Sequence, residues 1–247
     1  MKVVSIIPAR YKSQRFPAKL MHLLGEKTVI LSTYENVVAT GLFDQVLVAT
    51  DSEIIYNEIF DNGGKVVMTD ASHQCGSDRI AEAVVGIDTD IVINVQGDEP
   101  FVDKNSLKNL IEIFKNDPYK EIALASLMTS LTGEKEINNP NNVKVIVDLK
   151  NFALYFSRSI IPYNPAGDLL HNYYKHIGVY AYRKSALLEF SQQEITPLEA
   201  AEKIECIRFL EYGKKLKMVY TDGINFGIDT PEDLQRAQAY IKAKYSQ

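Results

Sequence analysis

The sequence predicts an α/β fold with a mixed, mostly parallel sheet, and three of its features carry that prediction. Apolar runs of strand length alternate with amphipathic stretches of helical period through the first half of the chain. The apolar runs are nearly continuous in Val and Ile, which is typical of parallel strands buried on both faces. Gly41 and the pair Gly63-Gly64 follow two of the helical stretches, where helices commonly end.

The elements of this first half follow from the same patterns. The predicted strands are 2–7, 45–49, 65–68, 90–95 and 122–129. The predicted helices are 29–39, 52–61, 78–85 and 104–115. Asp51, Ser77 and Asp103 stand where helix N-caps are expected, because their side chains can accept hydrogen bonds from the first turn.

After about residue 130 the chain becomes rich in strand-forming residues, in "NVKVIVD", "FALYFSRS" and "YYKHIGVYAYRK". We expect one domain over 1–247, in which about 130–185 forms an inserted β-rich subdomain or a dimerisation element. A helix is predicted over 197–212, strands over 216–221 and 225–228, and a last helix from about Pro231.

Composition limits the classes of function. A hydrophobic fraction of 46%, a charged fraction of 24% and a net charge of −5 indicate a globular protein. The acidic balance argues against nucleic acid or an anionic membrane as the main partner. Cys75 and Cys206 are too few for a disulfide framework or a cysteine-rich metal site. The apolar part of "MKVVSIIPAR" is too short for a signal peptide and no apolar run could span a bilayer, so we expect a cytoplasmic protein.

A cationic loop, Pro8 to Lys19 in "SIIPARYKSQRFPAKL", follows the first strand. In an open α/β sheet, ligands bind beyond the carboxyl ends of the strands, and several cations together suit a polyphosphate. The alternative is a solvated surface loop. The loop carries neither a Walker pattern nor G-x-G-x-x-G, so neither a P-loop NTPase nor a dinucleotide fold is supported. Its cations are Arg10, Lys12, Arg15 and Lys19.

Two acids follow other apolar runs. Asp98 comes after a run that ends in Gln96-Gly97, and Asp229 stands just before a Thr-Pro helix start. Two carboxylates at strand ends near a cationic loop can hold Mg²⁺, which prefers a few carboxylate oxygens together with substrate phosphates. Each acid taken singly could instead cap a helix, Asp229 in particular. Together with the basic loop they favour the metal interpretation.

At these residues the chain resembles the 3-deoxy-manno-octulosonate (Kdo) cytidylyltransferase family. The resemblance rests on "IPARYKSQRFPAK", "HQCGSDR", "NVQGDEP", "ALYFSRSIIP", "YKHIGVYAYR", "PLEAAEKIECIRFLEYG" and "GIDTPEDL". It implies a Rossmann-like nucleotide-diphospho-sugar transferase fold, Mg²⁺ as cofactor, CTP and a 2-keto-3-deoxy sugar acid as substrates, and a homodimer built on the β-rich insertion.

The resemblance also implies roles for individual residues. Arg10, Ser13 and Lys19 match the loop that grips the CTP phosphates, with Arg15 in support. Gly76, Ser77 and Arg79 match nucleotide contacts, and Asp98 and Asp229 match the metal-binding acids. The catalytic set is then Arg10, Lys19, Asp98 and Asp229. The sugar-acid site is matched by Gln96, Arg158, His176, Tyr180, Glu205 and Cys206.

Two of the sugar-site residues also have an interpretation from the residues alone. A lone His176 in a Tyr-rich strand is often a hydrogen-bonded structural residue. Glu205 falls on one stripe of the predicted helix 197–212 with Glu202, which favours a lined pocket over a plain solvated face. Among the roles that the resemblance implies, that of Arg158 suits a substrate carboxylate, because its planar fork pairs bidentately.

The chain departs from the family pattern at several positions. Ala18 and Leu20 replace Gly and Pro in the first loop, so its path is expected to differ slightly. Cys75 replaces Ser. Cys206 replaces a Gln of the sugar site, and a thiol cannot supply the paired donor and acceptor of an amide. This departure leaves three alternative acceptors open: a modified Kdo, a sialic-acid-like sugar or a phosphonate.

Two rival functions are less consistent with the sequence. A non-catalytic nucleotide-binding regulator would lack a metal acid or a phosphate-binding cation, and the sequence retains both sets. A Mg²⁺-dependent glycosyltransferase would carry Asp-x-Asp, where this chain has Gly97-Asp98-Glu99. The predicted reaction is therefore attack of a sugar hydroxyl on the CTP α-phosphate with release of pyrophosphate.

Overall fold

The structure, a computed structural model, describes residues 1–13, 16–73, 75–165, 172–223 and 227–245. The chain divides into two compact units. The first consists of Met1–Leu107 with Gly223–Gln247, and the second of Lys108–Asp222. In the part of the chain so described, none of the helices combines the length and the apolar character that a membrane crossing requires.

The first unit contains a parallel sheet in the order β6-β1-β4-β5. Its strands are β1 (Val3–Ala9), β4 (Gln45–Thr50), β5 (Val66–Met68) and β6 (Ile91–Asn94), and a small antiparallel hairpin adds β2 (Leu23–Leu24) and β3 (Lys27–Thr28). Every residue of β1 is buried, as its continuous apolar run predicts. The strand runs two residues beyond the predicted end and includes Pro8, because pairing with β6 has already ended at Ile6.

Helices cover this sheet and connect its strands. They are α1 (Val29–Ala39), α2 (Glu53–Asp61) and α3 (Gly76–Val84). Two further helices are α4 (Lys104–Lys115), of which Lys108–Lys115 belong to the second unit, and α9 (Pro231–Tyr245). The predicted bounds of α1 and α4 are confirmed, and the last helix begins at Pro231 as predicted. The strand predicted over 225–228 falls partly outside the described residues, and Gly227 and Ile228 are not in a strand.

The N-cap predictions were right at one of three positions. Asp103 accepts a hydrogen bond from the backbone of Ser106 at 2.8 Å, as a cap of α4 does. Asp51 is not the cap of α2, since Ser52 holds that position. Ser77 is not the cap of α3 either, because the helix starts at Gly76 and places Ser77 in its first turn.

The second unit contains strands of both directions. They are β7 (Ile122–Leu131), β8 (Lys144–Val147), β9 (Ala153–Ser157), β10 (Tyr173–Arg183) and β11 (Lys215–Tyr220). β11 pairs parallel with β7, while β10 pairs antiparallel with β7 and β8, and β9 with β8. The helices are α5 (Glu134–Asn138), α6 (Lys184–Phe190), α7 (Pro197–Glu202) and α8 (Ile207–Glu211).

The single helix predicted over 197–212 is wrong. Lys203 takes a left-handed conformation, with φ of 54°, and ends α7, so α8 starts only at Ile207. Glu205 and Cys206 therefore lie in the connection between two short helices. The helical stripe that was used to group Glu202 with Glu205 does not exist in the structure.

Candidate active site

The cationic loop after β1 is fastened to the loop before α3. The Nη2 group of Arg10 donates to the backbone carbonyl oxygen of His73 and, at 3.4 Å, to that of Cys75. Ser13 is half-buried in the same loop, and Arg15 lies outside the described residues. The contact brings together two loops at the carboxyl edge of the parallel sheet, where the fold class places a ligand.

An open cleft of about 280 Å³ lies at this edge of the first unit. Its walls come from the loop after β1, the start of α3 and the turn after β6. The lining residues are Pro8, Arg10, Lys12, Ser13, Lys19, Leu20, Cys75, Gly76, Arg79, Gln96, Gly97 and Asp98. The structure thus brings together most of the predicted nucleotide-binding residues.

Lys19 joins the two predicted metal acids. Its ammonium is paired with Asp98 and, at 2.9 Å, with Asp229. Burial lowers the pKa of Lys19, but the two carboxylates outweigh that effect and hold its pKa above the ordinary value. Asp229 does not cap α9, because Thr230 accepts the N–H of Asp233 there at 3.2 Å.

This arrangement fits a divalent cation. Two carboxylates that share one ammonium lie close enough to share one metal ion, and the Lys19 ammonium stands in for that charge. In the described ranges, no three His, Cys, Asp or Glu side chains converge as a metal site would require. Two acids suffice for Mg²⁺, which commonly takes its other oxygens from water and substrate phosphates.

Two glycines allow the close approach of backbone at the cleft. A Cβ on Gly97 would lie 3.0 Å from Ile30 and 3.2 Å from the carbonyl oxygen of Pro8. A Cβ on Gly76 would lie 3.3 Å from the ring of Pro8. A larger residue before Asp98 would therefore have to displace Ile30 or the backbone at Pro8 by a few tenths of an ångström.

Arg79 is less available to a ligand than its motif suggests. Its side chain is fully buried, and its guanidinium donates to Thr69 and, at 3.0 Å, to Asp51. Burial lowers the pKa of Arg79 in spite of the attraction of Asp51. The residue that was expected to cap α2 is instead the counter-ion of Arg79. Ser77 is likewise fully buried.

The second unit holds a buried group of predicted sugar-site residues. The His176 ring lies against Phe156 and Tyr180, and its Nε2 is 2.9 Å from the hydroxyl of Ser126. Burial and the nearby charge of Lys175 lower the pKa of His176 to about 3, so the ring is neutral at physiological pH. These contacts are those of the hydrogen-bonded structural histidine that was the alternative interpretation.

Tyr180 and Cys206 belong to the same buried group. Burial raises the pKa of both side chains well above its ordinary range, and the charge of Glu205 acts in the same direction. The Cys206 thiol is 1% exposed and hydrogen-bonded to Tyr180. Both groups therefore stay protonated and uncharged.

Arg158 is the one predicted sugar-site cation of the second unit, and it follows β9 directly. Its Nε donates to the backbone carbonyl of Glu202 at 2.9 Å, and its Nη1 to that of Pro140 at 3.2 Å. Gln96, by contrast, belongs to the first unit, where its amide donates to Asn94 at 3.3 Å.

Three residues around these sites were missed by the sequence analysis. Glu82 on α3 pairs with the ring of His73 and accepts the N–H of Asp70 at 3.0 Å, which fastens the loop that Arg10 contacts. They are His73, Glu82 and Lys144, whereas Glu202 was predicted only as part of a helical stripe that the structure lacks. A signal existed for His73, which stands in the "HQCGSDR" motif, and for Lys144, the one cation in the apolar run "NVKVIV".

Comparison with known proteins agrees with this geometry. A family model described as cytidylyltransferase matches residues 4–216. The 3-deoxy-manno-octulosonate cytidylyltransferase of Flavobacterium johnsoniae is 58% identical over 98% of this chain and 99% of its own length. That of Christiangramia forsetii is also 58% identical, over 97% of both chains.

Solved structures give the same assignment. A CMP:2-keto-3-deoxy-manno-octonic acid synthetase in complex with CTP superposes with a TM-score of 0.92 at 34% identity, covering 99% of this chain and 100% of that one. The α/β nucleotidyltransferase fold and the suspected resemblance are thereby confirmed. The chain belongs to the 3-deoxy-manno-octulosonate cytidylyltransferase family.

Proposed function

We propose that the protein transfers CMP from CTP to the anomeric hydroxyl of Kdo with release of pyrophosphate, for lipopolysaccharide or capsule synthesis in the cytoplasm. One observation carries the proposal: the ammonium of Lys19 is shared by Asp98 and Asp229 in a cleft that Arg10 also lines. Cations beside paired acids are what a triphosphate with a bound metal ion requires.

The reaction needs no covalent intermediate with the protein. The sugar hydroxyl attacks the α-phosphate in line, and the chain positions the reactants and neutralises developing charge. Arg10 and Lys19 stabilise the negative charge that gathers on the phosphate oxygens. Asp98 and Asp229 would hold Mg²⁺, which supplies Lewis-acid polarisation of the reacting oxygens.

The sugar acid would be held by residues of a different character. Arg158 offers its guanidinium to the carboxylate, while the buried group around His176 and Tyr180 presents neutral side chains. The Cys206 thiol is buried against Tyr180 and replaces an amide of the family pattern. This substitution is the observation that favours a second candidate acceptor, a modified Kdo or a related keto sugar acid or phosphonate.

A homodimer is part of the proposal. Among the residues of 130–185 that the structure describes, four large apolar side chains are exposed to solvent, which is typical of a surface that another subunit covers. They are Leu149, Leu154, Ile160 and Tyr163. Light scattering after size exclusion should give twice the chain mass of 27.8 kDa, and Leu154→Asp should shift the protein toward the monomer.

The first experiment is pyrophosphate release with Mg²⁺, CTP and Kdo, with UTP and omission of the sugar as controls. Release that needs both CTP and Kdo supports the proposal. Tight CTP binding without release would reject Kdo as the acceptor and lead to a panel of other keto sugar acids and phosphonates. Failure to bind CTP would reject the cleft as the nucleotide site.

A further inference from the structure

Lys144 is an unusual residue in β8, because its side chain is completely buried. Its ammonium donates to the backbone carbonyl oxygens of Asn139 at 3.1 Å and Arg158 at 2.7 Å. Burying an ammonium costs free energy unless its N–H groups find acceptors. One acceptor here is the carbonyl oxygen of Arg158 itself, and the other belongs to Asn139, which precedes the Pro140 that Arg158 contacts. Burial accordingly lowers the pKa of Lys144.

Glu202, the last residue of α7, holds Arg158 from the other side. Its carboxylate accepts from the Ser157 hydroxyl at 2.5 Å and from the Arg158 backbone N–H at 2.9 Å. Its own carbonyl oxygen accepts from Nε of Arg158 at 2.9 Å. A single glutamate thus fixes both the backbone and the side chain of the arginine.

The two sets of contacts leave Arg158 with little freedom. Lys144 donates to the backbone carbonyl oxygen of Arg158. Glu202 accepts from the backbone N–H and from Nε of Arg158, and the carbonyl oxygen of Pro140 accepts from its Nη1. Across the described residues, Nη2 of Arg158 has no hydrogen-bond acceptor. The guanidinium is therefore held at one edge while its remaining nitrogen is available to an oxyanion.

We propose that Lys144 and Glu202 are positioning residues, which act through Arg158 to hold its guanidinium ready for the carboxylate of the acceptor sugar acid. This inference rests on the proposed function and extends it to two residues outside the ligand-binding set. The hydrogen bonds of Lys144 and Glu202 join each charge to Arg158 or its neighbours, whereas an ordinary buried ion pair joins the two charges to each other. Arg208 and Glu199 in the same unit form such a direct pair at 2.6 Å.

Steady-state kinetics with separate KM values for Kdo and CTP test the proposal. Lys144→Met and Glu202→Gln should each raise the KM for Kdo about tenfold, the effect of one lost buried hydrogen bond to a charged group. The KM for CTP should change less than about twofold. Lys144→Gln keeps N–H donors and should recover part of the loss. Arg183→Gln, which removes a paired cation elsewhere in the unit, is the matched control and should leave the KM for Kdo unchanged.

A double-mutant cycle separates positioning from general damage. In an Arg158→Ala background, Lys144→Met should raise the KM for Kdo no further, because the group through which it acts is gone. An undiminished effect there, or equal rises in both KM values in the single variants, would overturn the proposal.

A structural readout decides the inference without activity. Crystal structures of Lys144→Met and Lys144→Gln should show the Arg158 guanidinium displaced from the Glu202 carbonyl in the first and retained in the second. An unmoved guanidinium in Lys144→Met would refute positioning by this lysine. Failure of the wild type to release pyrophosphate with Kdo would instead count against the proposed function, so the two failures are distinguishable.

Discussion

The two groups of predicted ligand-binding residues carry charge in opposite ways. In the cleft of the first unit, charged side chains neutralise one another at partly open positions, as Lys19 does with Asp98 and Asp229. In the buried group of the second unit, His176, Tyr180 and Cys206 avoid charge altogether. The first arrangement would allow a metal ion to replace Lys19 as the counter-ion of the two carboxylates. The second arrangement would allow recognition by shape and hydrogen bonding.

The largest effect is expected where a paired charge is removed from the cleft. Asp98→Asn deletes one of the two carboxylates that would hold the metal, so turnover should fall by at least about 10³-fold. Pyrophosphate release measures this loss, and circular dichroism should show an intact fold. The control is Asp103→Asn, which replaces one good helix cap with another. Substantial turnover in Asp98→Asn would remove this residue from the metal site.

Lys19→Met tests the exchange of counter-ions directly. Without the ammonium, Asp98 and Asp229 repel each other, so the nucleotide-free protein should bind Mn²⁺ about tenfold more tightly than the wild type. Turnover should nevertheless fall by about 10²-fold, because a cation that stabilises the phosphates is missing. Calorimetry measures the first effect and pyrophosphate release the second. Unchanged Mn²⁺ affinity would mean that the lysine does not compete with the metal.

The buried group should reveal itself in the pH dependence of stability. The folded-state pKa of His176 is about 3, below the ordinary value of 6.5. Between these values the unfolded chain binds a proton that the folded chain does not, so this contribution is present above about pH 6.5 and lost as pH falls. The free energy of unfolding should drop by about 1.6 kcal/mol between pH 6.5 and pH 5 from this residue.

His176→Gln removes the titration while keeping a polar group opposite Ser126. Urea unfolding at several pH values should show a shallower loss of stability in this variant than in the wild type. His22→Gln, at a partly exposed position, is the matched control. An identical pH dependence in His176→Gln and in the wild type would show that the pKa of His176 does not differ between the folded and unfolded states.

The cleft was predictable from the sequence to a greater extent than the buried group. Alternating strands and helices place Arg10, Lys19 and Asp98 at one sheet edge, because carboxyl ends of parallel strands emerge together. Nothing local indicated that Lys203 would take a left-handed conformation, so the helix over 197–212 was drawn too long. The sugar-site roles of Arg158, His176 and Tyr180 came from resemblance alone.

Tertiary contacts explain the remaining errors. Asp51 is a good cap by residue type, but Arg79 is buried beside it and its charge requires a partner. The apolar run around Lys144 did not indicate where its ammonium would find partners, which are the backbone carbonyl oxygens of Asn139 and Arg158. Pairings of this kind are decided by the packed structure, and local propensity does not encode them.

The smallest effect is expected from the left-handed backbone conformation, which occurs in both regions. Ala18 and Lys203 both have left-handed backbones, with φ of 53° and 54°. A Cβ in this conformation destabilises the folded state by about 1–2 kcal/mol, and glycine would remove that cost. Glycine also raises the conformational entropy of the unfolded chain, which lowers the free energy of unfolding by about 0.4–1 kcal/mol. Ala18→Gly and Lys203→Gly should therefore each raise the free energy of unfolding by up to about 1 kcal/mol in urea titrations.

The departure of Ala18 from the family pattern then has a clear physical meaning. The alanine adopts the left-handed conformation that glycine favours, so the turn before Lys19 forms at a cost in stability. Turnover of Ala18→Gly should accordingly stay within about twofold of the wild type, since the position of the lysine does not change. If Ala18→Gly loses stability while Lys203→Gly gains it, the loop before Lys19 depends on the methyl group of alanine, and the two left-handed positions are not equivalent.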